Sequence, residues 1–308
     1  MKKIVITGGT GFVGRSVCER LFEHNAETRL VVPTRRRVAG RGLSTLPTVD
    51  LVACNVFEPA ALHRVLDGAD AVVHLVAILH GSPAAFDLVH VQLPRQLAAA
   101  CAAAGVKRVV HVSALGVAAH APSHYLRSKA AGEAVWQVAT QTHGLDVTIL
   151  RPSVIFGAQD HFTNLFASLL RLLPVLPLAG ARAQFQPVWV GDVAQAVVNT
   201  LATPTKACPA IECAGPEVLT LAQIVQQVGA MTGHLRPVLP LPEALGLLQA
   251  GLMACLPGTP LMSRDNVLSM RVPNIATGKL PSLASLGITP AALATLVDHF
   301  NPADPRRR

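Results

Sequence analysis

"VITGGTGFVGRSV" (residues 5–17) decides the fold of this 308-residue chain. The β-branched run Val5-Ile6-Thr7 leads straight into Gly8 and Gly9, and Gly11 and Gly14 follow at three-residue spacing. β-Branched residues favour an extended strand, whereas a backbone without side chains can turn sharply and approach a bulky anion. In "GRSVCERLFEH" (14–24) the apolar spacing becomes that of a helix. A helix starting at such a turn aims its free N–H groups and the positive end of its dipole at the turn, which suits a pyrophosphate. Strand, glycine turn and helix at the head of an alternating series are the setting in which a glycine motif means a dinucleotide site.

The alternation continues through the first half of the chain. "TRLVVP" (28–33), "VDLVACN" (49–55), "DAVVHLVAI" (70–78), "KRVVHVSA" (107–114) and "LDVTILRP" (145–152) read as strands. "PRQLAAACAAAG" (94–105) and "KAAGEAVWQVATQTHG" (129–144) read as helices. Near-continuous apolar strands are expected in a parallel sheet covered on both faces. The predicted fold is therefore α/β, a Rossmann-type doubly wound parallel sheet with a smaller C-terminal helical and loop lobe. The core is expected over residues 1–152, with 184–214 returning to it. Residues 153–183 and 215–308 form the substrate or partner lobe. Asp192 and Gln195 have the spacing of a helix N-cap and its capping box, and "TLAQIVQQVGAMTG" (220–233) is the clearest helix of the lobe.

Composition narrows the function classes. Hydrophobic residues make up 51% and charged residues 14%, which favours a packed core over disorder. No apolar run reaches the roughly 18 residues of a membrane span, and the nearest, "ALGLLQAGLMACLPG" (244–258), stops short. The six cysteines contain no CxxC pair and the twelve histidines no HExxH, so no metal is expected and the thiols read as reduced. The net charge of +8 owes much to "RRR" at 35–37 and 306–308 and to Arg41, but aromatic residues are only 4%, which argues against nucleic acid. An anionic small ligand or an anionic membrane surface fits the charge better. "MKKIVITGG" (1–9) runs directly from lysines into a strand. The expected location is cytoplasmic, with peripheral contact at the inner face of a membrane through the apolar segment 241–257 as a further reading.

NAD-selective sites usually place an acid near the end of the second strand to bind the ribose hydroxyls. Here "VVPTRRR" (31–37) contains no acid, and Arg35 and Arg36, with Arg37 beside them, could neutralise a 2′-phosphate. NADP(H) is the preferred cofactor on that ground, with NAD(H) the alternative. The single tyrosine, Tyr125, stands four residues before Lys129, which puts both on one face of a helix. An ammonium beside a phenol is expected to lower the tyrosine pKa and suit it to proton transfer.

These residues carry a resemblance. "TGGTGFVG", "HLVA" (74–77), "YLRSK" (125–129) and "RPSVIFG" (151–157) resemble the extended and atypical short-chain dehydrogenases/reductases, and the likeness continues through "FQPVWVGDVAQAVV" (185–198) and "GPEVLTLAQIV" (215–225). More narrowly, "HVSALG" (111–116), "YLRSKAAGE" (125–133) and "LRPSVIFGAQDHFTNLFASLLRLLPVLPL" (150–178) resemble one branch. It holds the nucleotide-binding accessory subunit of respiratory complex I and its stand-alone bacterial relatives.

The resemblance implies roles residue by residue. Gly8, Thr10, Gly11, Phe12, Val13 and Gly14 would cradle the pyrophosphate, and Arg35 and Arg36 would face the adenosine phosphate. Asn55 and Val56 would lie beside the adenine, Leu75, Val76 and Ala77 along the cofactor, and Pro152 and Ser153 beside the nicotinamide. Tyr125 would be the general acid, with Lys129 also holding the ribose. Active relatives carry a Ser or Thr after the fifth strand; here Ala114 and Leu115 stand at that place, leaving Ser113 as the candidate, with Ser123 and His124 flanking the tyrosine. Two readings follow: an oxidoreductase for a lipophilic, quinone-related substrate, or a non-catalytic NADPH-binding protein of a respiratory or quinone-biosynthesis assembly. The charge-poor segments "LFASLLRLLPVLPLAG" (165–180) and "LPEALGLLQAGLMACLPG" (241–258) are the candidate lining.

Overall fold

The computed structural model describes residues 1–203, 208–253 and 262–300. Strand β1 (Lys3–Thr7) enters the glycine turn and α1 (Phe12–His24) leaves it; β2 (Arg29–Thr34), β3 (Val49–Ala53), α2 (Pro59–Leu66) and β4 (Ala71–His74) follow. Next come α3 (Pro83–Asp87), a π-helical turn (Leu88–Gln92), α4 (Leu93–Ala103), β5 (Arg108–Val112), α5 (His124–His143) and β6 (Asp146–Pro152). The remaining elements are β7 (Ile155–Phe156), α6 (His161–Leu172), β8 (Leu176–Ala179), β9 (Gln184–Phe185), β10 (Val188–Trp189), α7 (Val190–Ala202) and β11 (Ala210–Cys213). The chain ends with β12 (Leu219–Thr220), α8 (Leu221–Thr232), β13 (Val238–Leu241), α9 (Glu243–Met253), α10 (Arg264–Ser269) and α11 (Val297–Phe300).

Seven parallel strands form the central sheet in the order β11-β6-β5-β4-β1-β2-β3. Strand order reverses between β1 and β4, which opens a crevice at the carboxyl ends of those strands. Both faces of the sheet are buried, which explains the continuous apolar strands. Ile4, Ile6, Val73 and Leu30 pack on one side with Val17 of α1 and Val197 of α7; Val5, Val72, Val109 and Val147 pack on the other with Leu97 of α4 and Trp136 of α5. A third core, built on Phe166, Leu170, Leu221 and Val225, packs α6 against α8. Burial pushes the thiols of Cys18, Cys101 and Cys213 up to about 12, so they serve as packing groups; Cys255 lies outside the described residues.

Three local expectations are corrected. The helix read at 129–144 starts five residues earlier, because Ser123 Oγ accepts from Leu126 N and caps it. The strand read at 70–78 stops at His74: Leu75 N still bonds Thr7 O (2.9 Å), and the chain then leaves the sheet along the crevice. Asp192 is not an N-cap, since α7 begins at Val190; its buried Oδ2 instead accepts from Ala291 N (2.8 Å) and ties down the C-terminal segment. Among the described residues no helix is long and apolar enough to cross a membrane. Of the apolar segment 241–258, residues 254–258 lie outside the described residues.

Candidate functional site

The glycine turn packs against the segment that follows β4. Gly8 has φ +80°, a conformation side chains oppose, and a Cβ there would lie 3.0 Å from the Leu75 carbonyl carbon and 3.1 Å from Val76 N. A Cβ on Gly14 would meet Gly8 O and lie 2.5 Å from Gly9 Cα, so α1 can sit this close to the turn only with glycine there. Gly11 occupies the N-cap of α1, contributes no side-chain cap, and is exposed; no acid follows in the first turn. The head of α1 therefore presents unblocked N–H groups to the crevice. Thr10, Phe12 and Val13 are partly buried around it, and the Phe12 ring lies against Gly157 of the "RPSVIFG" segment. Leu75 and Val76 are partly buried and Ala77 is exposed, as a crevice wall would be. This cradle fits a dinucleotide pyrophosphate.

Arg35 and Arg36 are exposed just beyond β2, and Thr34 Oγ1 both donates to Arg36 O (3.1 Å) and accepts from Arg36 N (3.3 Å), fixing the backbone that carries them. Arg15 is a residue the sequence reading missed. Its guanidinium donates to Thr10 O (3.2 Å), Ala39 O (3.0 Å) and Gln159 Oε1 (3.2 Å), so it pins the glycine turn to the segment after β2. The available signal was its place in the first turn of α1. Asn55 is engaged within its own turn: Oδ1 accepts from Phe57 N (3.3 Å) and Nδ2 donates to Glu58 Oε1 (3.1 Å). Its expected hydrogen bond to adenine must compete with these. Val56 packs at the edge of the core beside α2.

On α5, Tyr125 and Lys129 lie one turn apart. Asp265 of α10 clamps the start of that helix, accepting from His124 N (2.7 Å) and Tyr125 N (2.9 Å). Lys129 is buried and its Nζ donates to Val112 O (2.8 Å) at the end of β5. Burial lowers the Lys129 pKa to about 8, against the opposing pull of Glu133. The expectation that Lys129 lowers the tyrosine pKa is corrected. Burial pushes Tyr125 up to about 12, because a phenolate is costly to form away from water.

Ser113 follows directly after β5. It is 5% exposed, its N donates to Leu150 O (2.7 Å), and its Oγ has no hydrogen-bond partner among the described residues. Ala114 and Leu115 are buried beside it. Ser123 is committed to capping α5, and His124 Nδ1 lies 3.0 Å from a guanidinium nitrogen of Arg127, so neither substitutes for Ser113. Pro152 closes β6. The Ser153 hydroxyl donates to Asn274 Oδ1 (2.7 Å) and accepts from Gln186 N (3.2 Å), which ties the end of β6 to the segments carrying Gln186 and Asn274.

Like Asp265, His90 in the π-helical turn is another residue the sequence reading missed. It is buried; Nε2 accepts from Ile78 N (3.1 Å) and Nδ1 lies 2.8 Å from Ser128 Oγ, which donates to Tyr125 O (2.8 Å). This network assigns the proton to Nδ1. Burial, aided by the Lys129 charge, lowers its pKa to about 3, so the ring is neutral, and it stands edge-on to Tyr125 with centroids 5.7 Å apart. His74 and His111 stack on each other with centroids 5.2 Å apart and are held neutral in the same way. His90 thus joins the crevice wall to the tyrosine helix. His90→Ala should destabilise the fold by about 2–4 kcal/mol, from the cavity and the orphaned Ile78 N–H. Urea denaturation checks this, and a midpoint equal to wild type would contradict it.

Comparison with known proteins then places the chain. The model of the NAD dependent epimerase/dehydratase family matches residues 4–211. The chain belongs to that family. It is 29% identical over 295 residues to the mouse (Mus musculus) mitochondrial NADH dehydrogenase [ubiquinone] 1 alpha subcomplex subunit 9, covering 94% of this chain and 76% of that one. It is 28% identical over 249 residues to the ceramide reductase of Caulobacter vibrioides, covering 80% and 76%. Among solved structures, gox2253 superposes with a TM-score of 0.73 at 21% identity over 96% of each chain. DesIV, a dTDP-glucose 4,6-dehydratase from Streptomyces venezuelae solved with NAD bound, superposes at 0.66 with 24% identity, covering 87% of this chain and 96% of that one. These structures share the fold of this member of the family.

Proposed function

We propose that this family member is an NADP(H)-dependent reductase acting on a carbonyl or quinone-related oxygen of a lipophilic substrate. One observation carries the reading: the Tyr125–Lys129 pair and the unblocked head of α1 both border the ends of the central strands, around the crevice between β1 and β4. A nicotinamide dinucleotide bound across that crevice would supply hydride. Tyr125, with its phenol pKa raised, keeps its proton at neutral pH and donates it to the substrate oxygen, which favours the reductive direction. Lys129, cationic below about pH 8, stabilises the phenolate that forms and offers a hydrogen bond to the ribose. The Ser113 hydroxyl, with no hydrogen-bond partner among the described residues, supplies a second hydrogen bond at the end of β5.

The preference for NADP(H) over NAD(H) rests on Arg35 and Arg36, exposed beyond β2 in a stretch, 31–37, that holds no acid. Replacing both by alanine should weaken NADPH by about 10–100-fold, the value of two charged hydrogen bonds, and leave NADH nearly unaffected. Fluorescence titration of both nucleotides checks this; equal losses would sink the phosphate assignment.

Two relatives narrow the substrate class by their names. Ceramide, a lipid, stands in the name of the bacterial relative and ubiquinone in that of the mitochondrial one, so long-chain keto-lipids and quinones are the first classes to assay. The small lobe, 153–183 with 215–308, is the proposed cover for such a substrate. Peripheral membrane contact, on the cytoplasmic side of a membrane, follows from the same chemistry.

A second reading is favoured by one feature. Ala114 and Leu115 fill the place of the expected hydroxyl, and the Lys129 ammonium is already engaged by Val112 O. NADPH would then be a structural ligand in an assembly of the kind named for the mouse relative, adding about 2.7 kcal/mol of stability at a hundredfold excess over its Kd. NADPH oxidation with membrane lipid extract supports the reductase; a raised melting temperature without oxidation supports the structural ligand.

A further inference from the structure

The small lobe carries an apolar surface that the fold leaves uncovered. Leu172 at the end of α6 is 76% exposed and nearby Val175 is 42% exposed. Leu235 and Leu239, before and within β13, are 66% and 54% exposed, and Leu245 and Leu248 on α9 are 50% and 57% exposed. These segments are neighbours. β8 pairs with β13, setting Leu239 beside the exposed Pro177 on one side of the two-stranded sheet. Arg236 Nε donates to Leu170 O (3.3 Å), which holds the start of β13 against the end of α6, and Gly246 of α9 packs on Ala179 of β8. Single exposed leucines need no explanation, but several carried on segments held together in this way mark a contact surface.

Two further features narrow the occupant. Pro174, Pro177, Pro237 and Pro240 remove N–H donors from and around both strands, so the sheet is a poor template for adding another strand. The patch is also positive: Arg171 and Arg236 are exposed, and the single acid in 171–179 and 235–248, Glu243, is paired with Arg271 (3.1 Å). Leucines between guanidinium groups match acyl chains beneath anionic headgroups.

The patch also connects to the site. Arg264 of α10 lies against Gly251 of α9, and Asp265 of the same helix clamps the first turn of α5 at Tyr125. One helix therefore stands between the apolar face and the catalytic tyrosine.

We infer that this face, formed by the end of α6, β8, β13 and α9, docks the protein on a bilayer carrying anionic lipids. The inference deepens the lipophilic-substrate reading: docked this way, the protein opens its substrate side to the lipid phase, and an insoluble substrate need not cross water.

The test is co-sedimentation of the full chain with vesicles of phosphatidylcholine alone or mixed with phosphatidylglycerol, with light scattering for oligomeric state and fluorescence for NADPH binding. Sedimentation with the mixed vesicles, weakened by salt, is expected. Leu172→Gln/Leu239→Gln/Leu248→Gln should lower partitioning by about tenfold or more, and Arg171→Gln/Arg236→Gln by about tenfold, with NADPH binding unchanged in both. Wild-type protein left in the supernatant overturns the inference, as does a leucine variant that still sediments. Self-association abolished by the same leucine changes also overturns it, since the face would then join two copies. Vesicle binding without NADPH oxidation leaves the docking standing and removes the reductase reading; oxidation without vesicle binding does the reverse.

Discussion

Tyr125→Phe should lower the rate of NADPH-dependent carbonyl reduction by about 10²–10⁴-fold, the contribution of a positioned general acid, while NADPH affinity and melting temperature stay near wild type. The substitution removes one oxygen and leaves the ring, which keeps its edge contacts with Phe86 and His90. The pH profile carries the same assignment. The phenol, raised to about 12, is protonated throughout the working range, so the alkaline limb belongs to Lys129. A lysine lowered to about 8 is cationic below that pH and neutral above it. Its support for the phenolate is therefore present at pH 7 and lost as pH rises through 8. The kcat/KM for reduction should be flat from acid pH to neutrality and fall above about pH 8. A Tyr125→Phe enzyme of undiminished rate would remove the tyrosine from the chemistry and shift the weight to the structural-ligand reading.

Two alanines in the glycine turn should separate binding from folding. At Gly11 the backbone is extended (φ −76°) and a Cβ meets only Gly8 O at 3.2 Å, so Gly11→Ala should fold. The methyl group would stand at the exposed head of α1, where the pyrophosphate is proposed to approach, and NADPH affinity should fall on the order of 10²-fold, the usual cost of an ångström-scale misfit. At Gly14 the same methyl meets the backbone of Gly8 and Gly9, which cannot rotate away. Gly14→Ala should therefore cost about 1–3 kcal/mol of stability as well as binding, because α1 must shift off the turn. Thermal melts with and without NADPH distinguish the two. A Gly11→Ala protein that binds NADPH as well as wild type would place the nucleotide elsewhere.

Much of the fold was legible because its signals are local. A β-branched run, glycines three apart and helical spacing specify strand, turn and helix from neighbouring residues alone, and both faces of a buried parallel sheet demand the apolar runs seen in β1, β4 and β5. The Tyr125–Lys129 pair was legible for the same reason, since four residues on a helix set its geometry. Boundaries were less so. Asp192 has the spacing of a cap, yet α7 starts two residues before it, and the carboxylate serves Ala291 from ninety-nine residues away.

What the sequence by itself determined is the sheet, the phosphate cradle and the residue types at the crevice. The tertiary structure alone decided their electrical state and their supports. Burial raised Tyr125 and lowered Lys129, reversing the expectation from their spacing, because desolvation depends on every element packed around a charge. His90, Arg15 and Asp265 joined the site through partners that lie in other elements of the chain, as His90 does with Ser128 and Asp265 with Tyr125. The small lobe likewise became an apolar, positive face only when β8 and β13 paired, since exposure belongs to the assembled fold and not to any one segment.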